Sequence, residues 1–422
     1  MKTIDVDVAI IGGGSAGLSC AIELFDRGQK SIIILEKDNV LGGILNQCIH
    51  TGFGLEVFKE ELSGPEYAER FIKMVEERKI PYRLNTTVIK IGENKEVICS
   101  SEDGLTTYRC KAIVFTIGCF ERSAGAIQMN GYRPKGVYTA GMAQRYLNID
   151  GFLVGKKVFI LGSGDIGLIM ARRMTLEGAK VLGVAEIMPY SNGLKRNIVQ
   201  CLDDFNIPLY LSTTVKSVLG RENVTGVELV KVDENLNYIE GSEFIVPCDT
   251  LLLSVGLIPS IDLLKKIGCE CTNSTKSAEV CEYNQSTIDG IFLAGNVLHV
   301  HDLVDYVTEE GKIAGIGVDK YLRGKLIKRE EGTLIKTIPN AGINYIVPHS
   351  IIKENVEAQL TLKFRVKKPM QNVYIVLKSG DKVLKKMYKV GILPSEMERM
   401  VIDKKILSEI DTSISLEVEE KQ

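Results

Sequence analysis

One pattern occurs twice in this chain and limits what it can fold into. An apolar run, Val8 to Ile11, leads into Gly12, Gly14 and Gly17. Leu18, Ala21, Ile22 and Phe25 then recur at helical spacing, and a second apolar run, Ser31 to Leu35, ends in Glu36. From Lys157 the order returns: Gly162, Gly164 and Gly167, a helix-spaced segment, an apolar run and Glu186, with the same spacing from first glycine to acid. Each residue type has a physical task. The first glycine permits a tight turn, the second lets backbone approach a pyrophosphate, and the third lets helix and strand pack closely. The helix start offers free N–H groups and a positive dipole end to phosphates. The acid stands where a ribose hydroxyl can donate to it. A lone glycine triplet is a weak signal. Two triplets, each with strand, helix and acid in place, predict two dinucleotide sites.

The second site carries a preference. Glu186 repels a 2′-phosphate, and the residues after it, IMPYSNG, hold no Arg or Lys to bind one. That favours NAD over NADP. A net charge of −2 leaves no basic field for nucleic acid or an anionic membrane. No apolar run approaches the roughly 20 residues of a membrane span. The opening MKTIDVDVAI runs directly into the first strand, so no signal peptide is expected. The ten cysteines are scattered, with no Cys-x-x-Cys pair, which predicts reduced thiols in a cytoplasm. Cys269 and Cys271 form a lone C-x-C, read as structural, so no metal site is expected. Beyond Cys281 there is no cysteine, which excludes an iron–sulfur module from the C-terminal third.

Between the two motifs, Pro65 suits the first turn of a helix running to about Lys79. Residues from Tyr82 to Cys110 alternate, with turn signals at Gly92-Glu93-Asn94 and Glu102-Asp103-Gly104, and predict a small antiparallel meander. Ala112 to Ile117 reads as a buried strand ending in TIGCFER. Thr250 to Val255 closes the second half, and DGIFLAGN, ending at Asn296, is a short strand with a glycine turn before a last helix to about Tyr321. Arg323 to Glu331 is charged and reads as a linker. In the tail, Leu360, Leu362, Phe364 and Val366 alternate, then Val373, Ile375 and Leu377, then Ile414, Leu416 and Val418. This period of two predicts a small β-sandwich. No cluster of chemistry-bearing residues stands out there, so the tail is expected to be a separate docking domain.

Two fingerprints, the TIG turn and the AGN turn together resemble the two-dinucleotide-binding-domain flavoproteins, of which thioredoxin reductase is the compact type, over about residues 5 to 325. The resemblance implies an α/β fold with two Rossmann-like domains, the NAD domain inserted in the FAD domain, and here a C-terminal all-β domain. It divides the chain into an FAD-binding domain at 1–118 and 257–326, an NAD-binding domain at 119–256, and a β-sandwich-like domain at 333–422. It implies FAD contacts from Gly12, Gly14, Ser15, Ala16, Gly17, Glu36, Lys37, Gly43, Val88, Thr116, Gly118, Gly295 and Asn296. It implies NAD contacts from Gly162, Gly164, Asp165, Ile166, Gly167, Glu186 and Gly256. The usual residue at 296 is Asp; an amide there still offers hydrogen bonds without adding negative charge.

The segments GGILNQCIHTGFG, GCFERSA, RPKGVYTAGMAQ and GNVLHVHDLVDYVTEEGKIAG resemble the FAD/NAD subunit that accompanies a glycerol-3-phosphate dehydrogenase-like flavoprotein. Hydrogen cyanide synthase and opine or sarcosine oxidase subunits are similar in some of them. The resemblance implies an NADH-linked flavoprotein oxidoreductase exchanging electrons with a partner flavoprotein dehydrogenase subunit, with a small cysteine-rich iron–sulfur protein as a further partner. Self-association into a homo-oligomer is a further expected arrangement. A stand-alone NADH oxidase and a flavin-binding structural subunit are the competing readings. The segment after Gly42-Gly43 has only Cys48, which argues against a disulfide substrate. Cys48, His50 and His301 are the candidate catalytic residues. Cys48 also fits a small buried hydrophobe, and His50 a packing role. His299 and His301 precede the last helix, whose positive end, the resemblance implies, faces the pyrimidine edge of the flavin. His301 is expected to act with Asp302, and Glu121 with Arg122 to form a hinge ion pair at the junction between the two domains.

Overall fold

The apolar run at Val8–Ile11 is the buried end of a ten-residue strand, Lys2–Ile11. It lies between Ile32–Leu35 and Gly104–Phe115, parallel to both, with Val8 opposite Ile32 on one side and Ala112 on the other. A strand covered on both faces needs apolar side chains on both, so it reads as a continuous run. The computed structural model describes residues 2–421, and its contacts divide the chain into two units: Met1–Cys119 with Pro259–Gln422, and Phe120–Ile258.

In the first unit the parallel strands continue at one edge to Tyr82–Arg83, and Ile291–Leu293 adds beside Gly104–Phe115. Two helices, Ser15–Asp26 and Val304–Leu322, pack on one face over Val8, Ile10, Ile34 and Val114. They approach closely because Gly311 has no side chain: a Cβ there would lie 2.3 Å from the Ala16 carbonyl oxygen. The helix Gly64–Glu77 starts with a capping box between Ser63 and Glu66. The antiparallel meander comprises Thr87–Ile91, Glu96–Ser101 and Gly104–Phe115. Tyr82–Arg83 is not part of it; it pairs in parallel with Ile34 and Leu35. The buried strand expected from Ala112 is the distal half of the meander's last strand, so the meander and the parallel strands share one seven-stranded sheet.

The tail belongs to this unit and forms two sheets over one core. The order in one is Ser350–Ile352, Leu334–Pro339, Ser413–Glu420, Met370–Ser379, Lys382–Ile392; in the other, Ile343–Val347, Gln359–Val366, Glu398–Asp403. Leu362, Phe364, Val373, Ile375, Leu377, Ile414 and Leu416 face each other inside. The linker segment is held rather than free: Asn355 accepts the Ile327 N–H, and Arg329 reaches Glu279 and Ser350.

The second unit repeats the parallel arrangement. Its sheet runs Val137–Thr139, Thr250–Leu253, Lys157–Leu161, Lys180–Ala185, Leu209–Tyr210, all parallel. The helix Asp165–Leu176 follows the glycine turn, and Thr213–Leu219, Gly226–Lys231 and Phe244–Val246 form an antiparallel sheet. Among the described residues no helix is long and apolar enough to cross a membrane.

Candidate functional site

The first glycine turn is held open by what surrounds it. Gly12 has φ +105, and a Cβ on it would lie 2.6 Å from the Thr116 carbonyl oxygen. The Thr116 hydroxyl donates to the carbonyls of Ile11 and Gly12 at 2.8 and 2.9 Å. A Cβ on Gly17 would fall 2.0 Å from the Gly12 oxygen, so only glycine allows this helix–strand distance. Gly14 differs: a Cβ there meets nothing within 4 Å. No side chain caps the helix Ser15–Asp26, so the first-turn amides of Ser15, Ala16 and Gly17 face that open space. Gly43, with φ +58, brings the Gly42-Gly43 turn against Gly14. This cradle, empty of side chains and lined by unpaired amides, fits a pyrophosphate.

Glu36 is buried and holds the turn. Its Oε2 accepts the Gly13 N–H at 2.6 Å and its Oε1 the Asp38 N–H at 2.9 Å. Each oxygen keeps a lone pair for a ribose hydroxyl. Lys37 beside it is exposed. Val88 is half-buried and packs against the core on one sheet face, while Thr86 donates its N–H to the Glu36 carbonyl at 2.8 Å. Gly118 follows the Thr116 strand end with φ +69.

The second cradle repeats the first with Ser254 in place of Thr116. A Cβ on Gly162 would lie 2.1 Å from the Ser254 carbonyl oxygen, and one on Gly167 2.7 Å from the Ser254 Cβ. The Gly167 N–H donates to Ser254 Oγ at 3.1 Å. Gly164 is less open, with Ser254 Oγ 3.2 Å from its would-be Cβ. Glu186 is buried; its Oε2 accepts from the Ser163 N–H at 3.0 Å and the Ser163 hydroxyl at 2.6 Å, and its Oε1 from the Met188 N–H at 3.0 Å. Asp165 is turned to protein: it accepts from the Leu194 N–H and from Asn197. Ile166 packs into the core, and Gly256, at φ +99, accepts the Arg122 N–H. Ser254 was not expected from the sequence. The signal existed: Thr116-Ile117-Gly118 and Ser254-Val255-Gly256 share a hydroxyl and a glycine at one spacing after a buried strand.

The candidate catalytic residues separate. Cys48 is buried, its thiol donates to the Ile44 carbonyl at 3.3 Å, and burial pushes its pKa up to about 12. That is a packed thiol, because reactivity needs the thiolate. His50 is half-buried, with Nδ1 3.1 Å from the Thr51 carbonyl and its ring on Phe53. His301 is buried beside His299, and its Nε2 lies 3.4 Å from Glu310. Asp302, the partner expected for it, pairs with Arg365 and accepts the Met397 N–H. Glu121 does not pair with Arg122: Glu121 accepts the Gly141 N–H at 2.7 Å and caps the helix Ala140–Asn148.

Sequence reading missed the centre of this group, Glu310. Fully buried on the last helix, it accepts the Gly295 N–H at 2.8 Å, His299 Nε2 at 2.9 Å and the Lys363 ammonium at 2.7 Å. Burial alone would raise its pKa, but Lys363 and the two histidines hold it well below the ordinary carboxylate range. Burial pushes His299 down to about 3, so it is neutral near pH 7 and donates from Nε2. The ligating atoms of His299, His301 and Glu310 lie within 4.8 Å of one another, a spacing a metal ion could bridge. The Lys363 ammonium already supplies the cation on Glu310. Gly295, with φ +79, sets the AGN turn against the first cradle, since its would-be Cβ is 3.1 Å from Ala16 Cβ. Asn296 turns its side-chain oxygen inward to accept the His301 N–H at 3.0 Å.

Comparison with known proteins agrees with this geometry. Residues 6–314 match the model of the pyridine nucleotide-disulphide oxidoreductase family. The chain is 26% identical to the glutamate synthase [NADPH] small chain of Escherichia coli, over 76% of this chain and 70% of that one. It is 26% identical to an NADH oxidase of Methanocaldococcus jannaschii, over 75% of this chain and 68% of that one. Among solved structures, thioredoxin reductase of T. acidophilum superposes with a TM-score of 0.61 at 25% identity, covering 76% of this chain and 99% of the other.

Proposed function

Since this chain belongs to the pyridine nucleotide-disulphide oxidoreductase family, whose members bind FAD and NAD(P)H, we propose that its first cradle holds FAD and its second NAD(H). On this reading it is an NADH-dependent flavoprotein that passes electrons to a partner protein. The observation that carries it is the pair of matched cradles, each closed by a buried glutamate and a hydroxyl residue. Bound together, the two cofactors supply hydride transfer between nicotinamide and flavin. The chain's own residues bind and orient. Gly14 and Gly164 leave room for the pyrophosphates, the uncapped helix starts donate N–H groups to them, and Glu36 and Glu186 accept from the riboses. Gly295 and Asn296, with Gly43, complete the first site.

The acceptor we propose is a flavoprotein dehydrogenase subunit of the glycerol-3-phosphate dehydrogenase-like type, with a small iron–sulfur protein as a further partner, in a cytoplasm. The segment resemblance supports this; the relatives reported above name no such activity. Being a small chain of a larger enzyme, the glutamate synthase relative is consistent with subunit pairing. A disulfide substrate is not proposed, because Cys48 is buried, protonated and stands in no Cys-x-x-Cys motif. The named NADH oxidase relative favours a second reading, direct reduction of oxygen. Oxygen uptake separates the two. With NADH in air and no partner, uptake should be slow, and protein co-purified from native cells should speed flavin reoxidation. Fast uptake by the chain alone would establish the oxidase reading instead.

A further inference from the structure

The tail strand Gln359–Val366 sends two cations toward the last helix and the loop before it. Lys363, with its side chain 6% exposed, binds Glu310. Arg365 donates from Nη2 to the Val300 carbonyl at 3.1 Å and to Asp302, from Nη1 to the Pro394 carbonyl at 3.0 Å, and from Nε to the Tyr345 hydroxyl at 3.2 Å. Asp302 also accepts the Met397 N–H at 2.6 Å, and Arg399 lies over the Tyr306 ring and pairs with Glu309. The loop between the AGN turn and the last helix is therefore gripped from the tail at Val300 and Asp302, and the helix at Tyr306, Glu309 and Glu310.

We propose that Lys363 and Arg365 are positioning residues for the first dinucleotide site, acting through Glu310 and Asp302 to fix the AGN turn and the start of the last helix. This rests on the reading that the first cradle holds FAD. The chain of contacts is short. Lys363 neutralises Glu310, Glu310 accepts the Gly295 N–H, and Gly295 abuts Ala16 at the start of the cradle helix. A fully buried carboxylate stripped of its ammonium must move toward water, take up a proton, or draw a proton onto the neighbouring His299 or His301. Each response changes its hold on Gly295 and His299. Replacing both charges with neutral side chains avoids that conflict.

The test compares Lys363→Met, Glu310→Gln and the double variant with the wild-type chain. FAD dissociation, flavin midpoint potential and NAD(H) affinity are measured on each. Lys363→Met should weaken FAD binding about 10-fold or more and shift the potential, since it strips the ammonium from a buried carboxylate. NAD(H) affinity should stay within about 2-fold, because the second cradle is built from other residues. The double variant should return FAD affinity to within about 3-fold of wild type, since the amide at 310 still accepts the Gly295 N–H. Unchanged FAD affinity and potential in Lys363→Met would overturn the proposal. So would a double variant no better than the single one, or equal loss of both nucleotides. If Lys363→Met is recovered only as aggregate, the double variant decides: soluble and flavin-loaded supports the proposal, insoluble overturns it. Gly14→Val separates the two levels. If that variant keeps its FAD, the reading of the site fails; if it loses FAD while Lys363→Met does not, only this inference fails.

Discussion

Glu36 and Glu186 each have two tasks at one carboxylate. Each pins the glycine turn in front of it by accepting backbone N–H groups, and each keeps acceptor capacity for the proposed ribose contact. Replacing either removes a structural bond as well as that proposed contact. Glu186→Ala alone is therefore expected to cost about 1–3 kcal/mol of stability, since Ser163 loses its acceptor in a buried setting. Combined with Ile187→Arg, it should narrow the preference for NADH over NADPH, measured as a ratio of flavin reduction rates; an unchanged ratio would count against the specificity argument. The glycines separate more cleanly. Because nothing lies within 4 Å of a Cβ on Gly14, valine there disturbs only the space proposed for the pyrophosphate. Gly14→Val should be purified without flavin, and Gly164→Val with it. A yellow Gly14→Val protein beside a colourless Gly164→Val protein would reverse the two sites. Most of these residues were legible in the sequence because the motif is local: strand, turn, helix and acid follow one another. The side-chain partners of Asp165, Leu194 and Asn197, were not legible for the same reason, as they come from a later loop.

At the scale of elements, the last helix and the tail strand meet through charge, and that makes stability depend on pH. His299 is held down to about 3 by burial, against about 6.5 in the unfolded chain. Between those values the unfolded chain binds more protons, so stability rises with pH and falls on acidification. His349 adds to this, held down to about 4 by burial and Arg329, with its Nδ1 accepting the Val280 N–H. Glu310, held low by Lys363, contributes in the same direction at more acid pH, losing its share as it protonates. The unfolding temperature of the flavin-free chain should fall steadily below about pH 6.5, and His299→Gln should reduce the slope by up to about 1.4 kcal/mol per pH unit. A profile flat from pH 7 to 5 would contradict this. The sequence could not show this contact. Glu310 and Lys363 are 53 residues apart, and any of 52 basic residues could pair with any of 54 acids. Periodicity reports which face is buried, not which charge meets which. The pairing of Tyr82–Arg83 escaped for a related reason: two exposed residues carry no alternation, and only the neighbouring strand defines them.

For the molecule as a whole, the tail's sheets were legible in their alternation, and their attachment was not. The expectation of a separate docking module predicts that a chain cut after Gly332 keeps FAD. The buried bonds from Lys363 and Arg365 predict the reverse: the cut leaves Glu310 and Asp302 without their cations, and FAD should be lost or the first unit should unfold. The visible spectrum of the purified truncated chain decides between them. The second unit, Phe120–Ile258, carries its own core and its own cradle, which is why nucleotide binding there serves as an internal control. On the proposed function, a flavin in the first cradle is reduced by NADH bound in the second. Anaerobic stopped-flow mixing of the purified chain with NADH or NADPH, followed in the flavin's visible band, tests it most directly. Rapid bleaching is expected with NADH and much slower bleaching with NADPH. No bleaching with either nucleotide, or bleaching by NADPH as fast as by NADH, would contradict the proposed function.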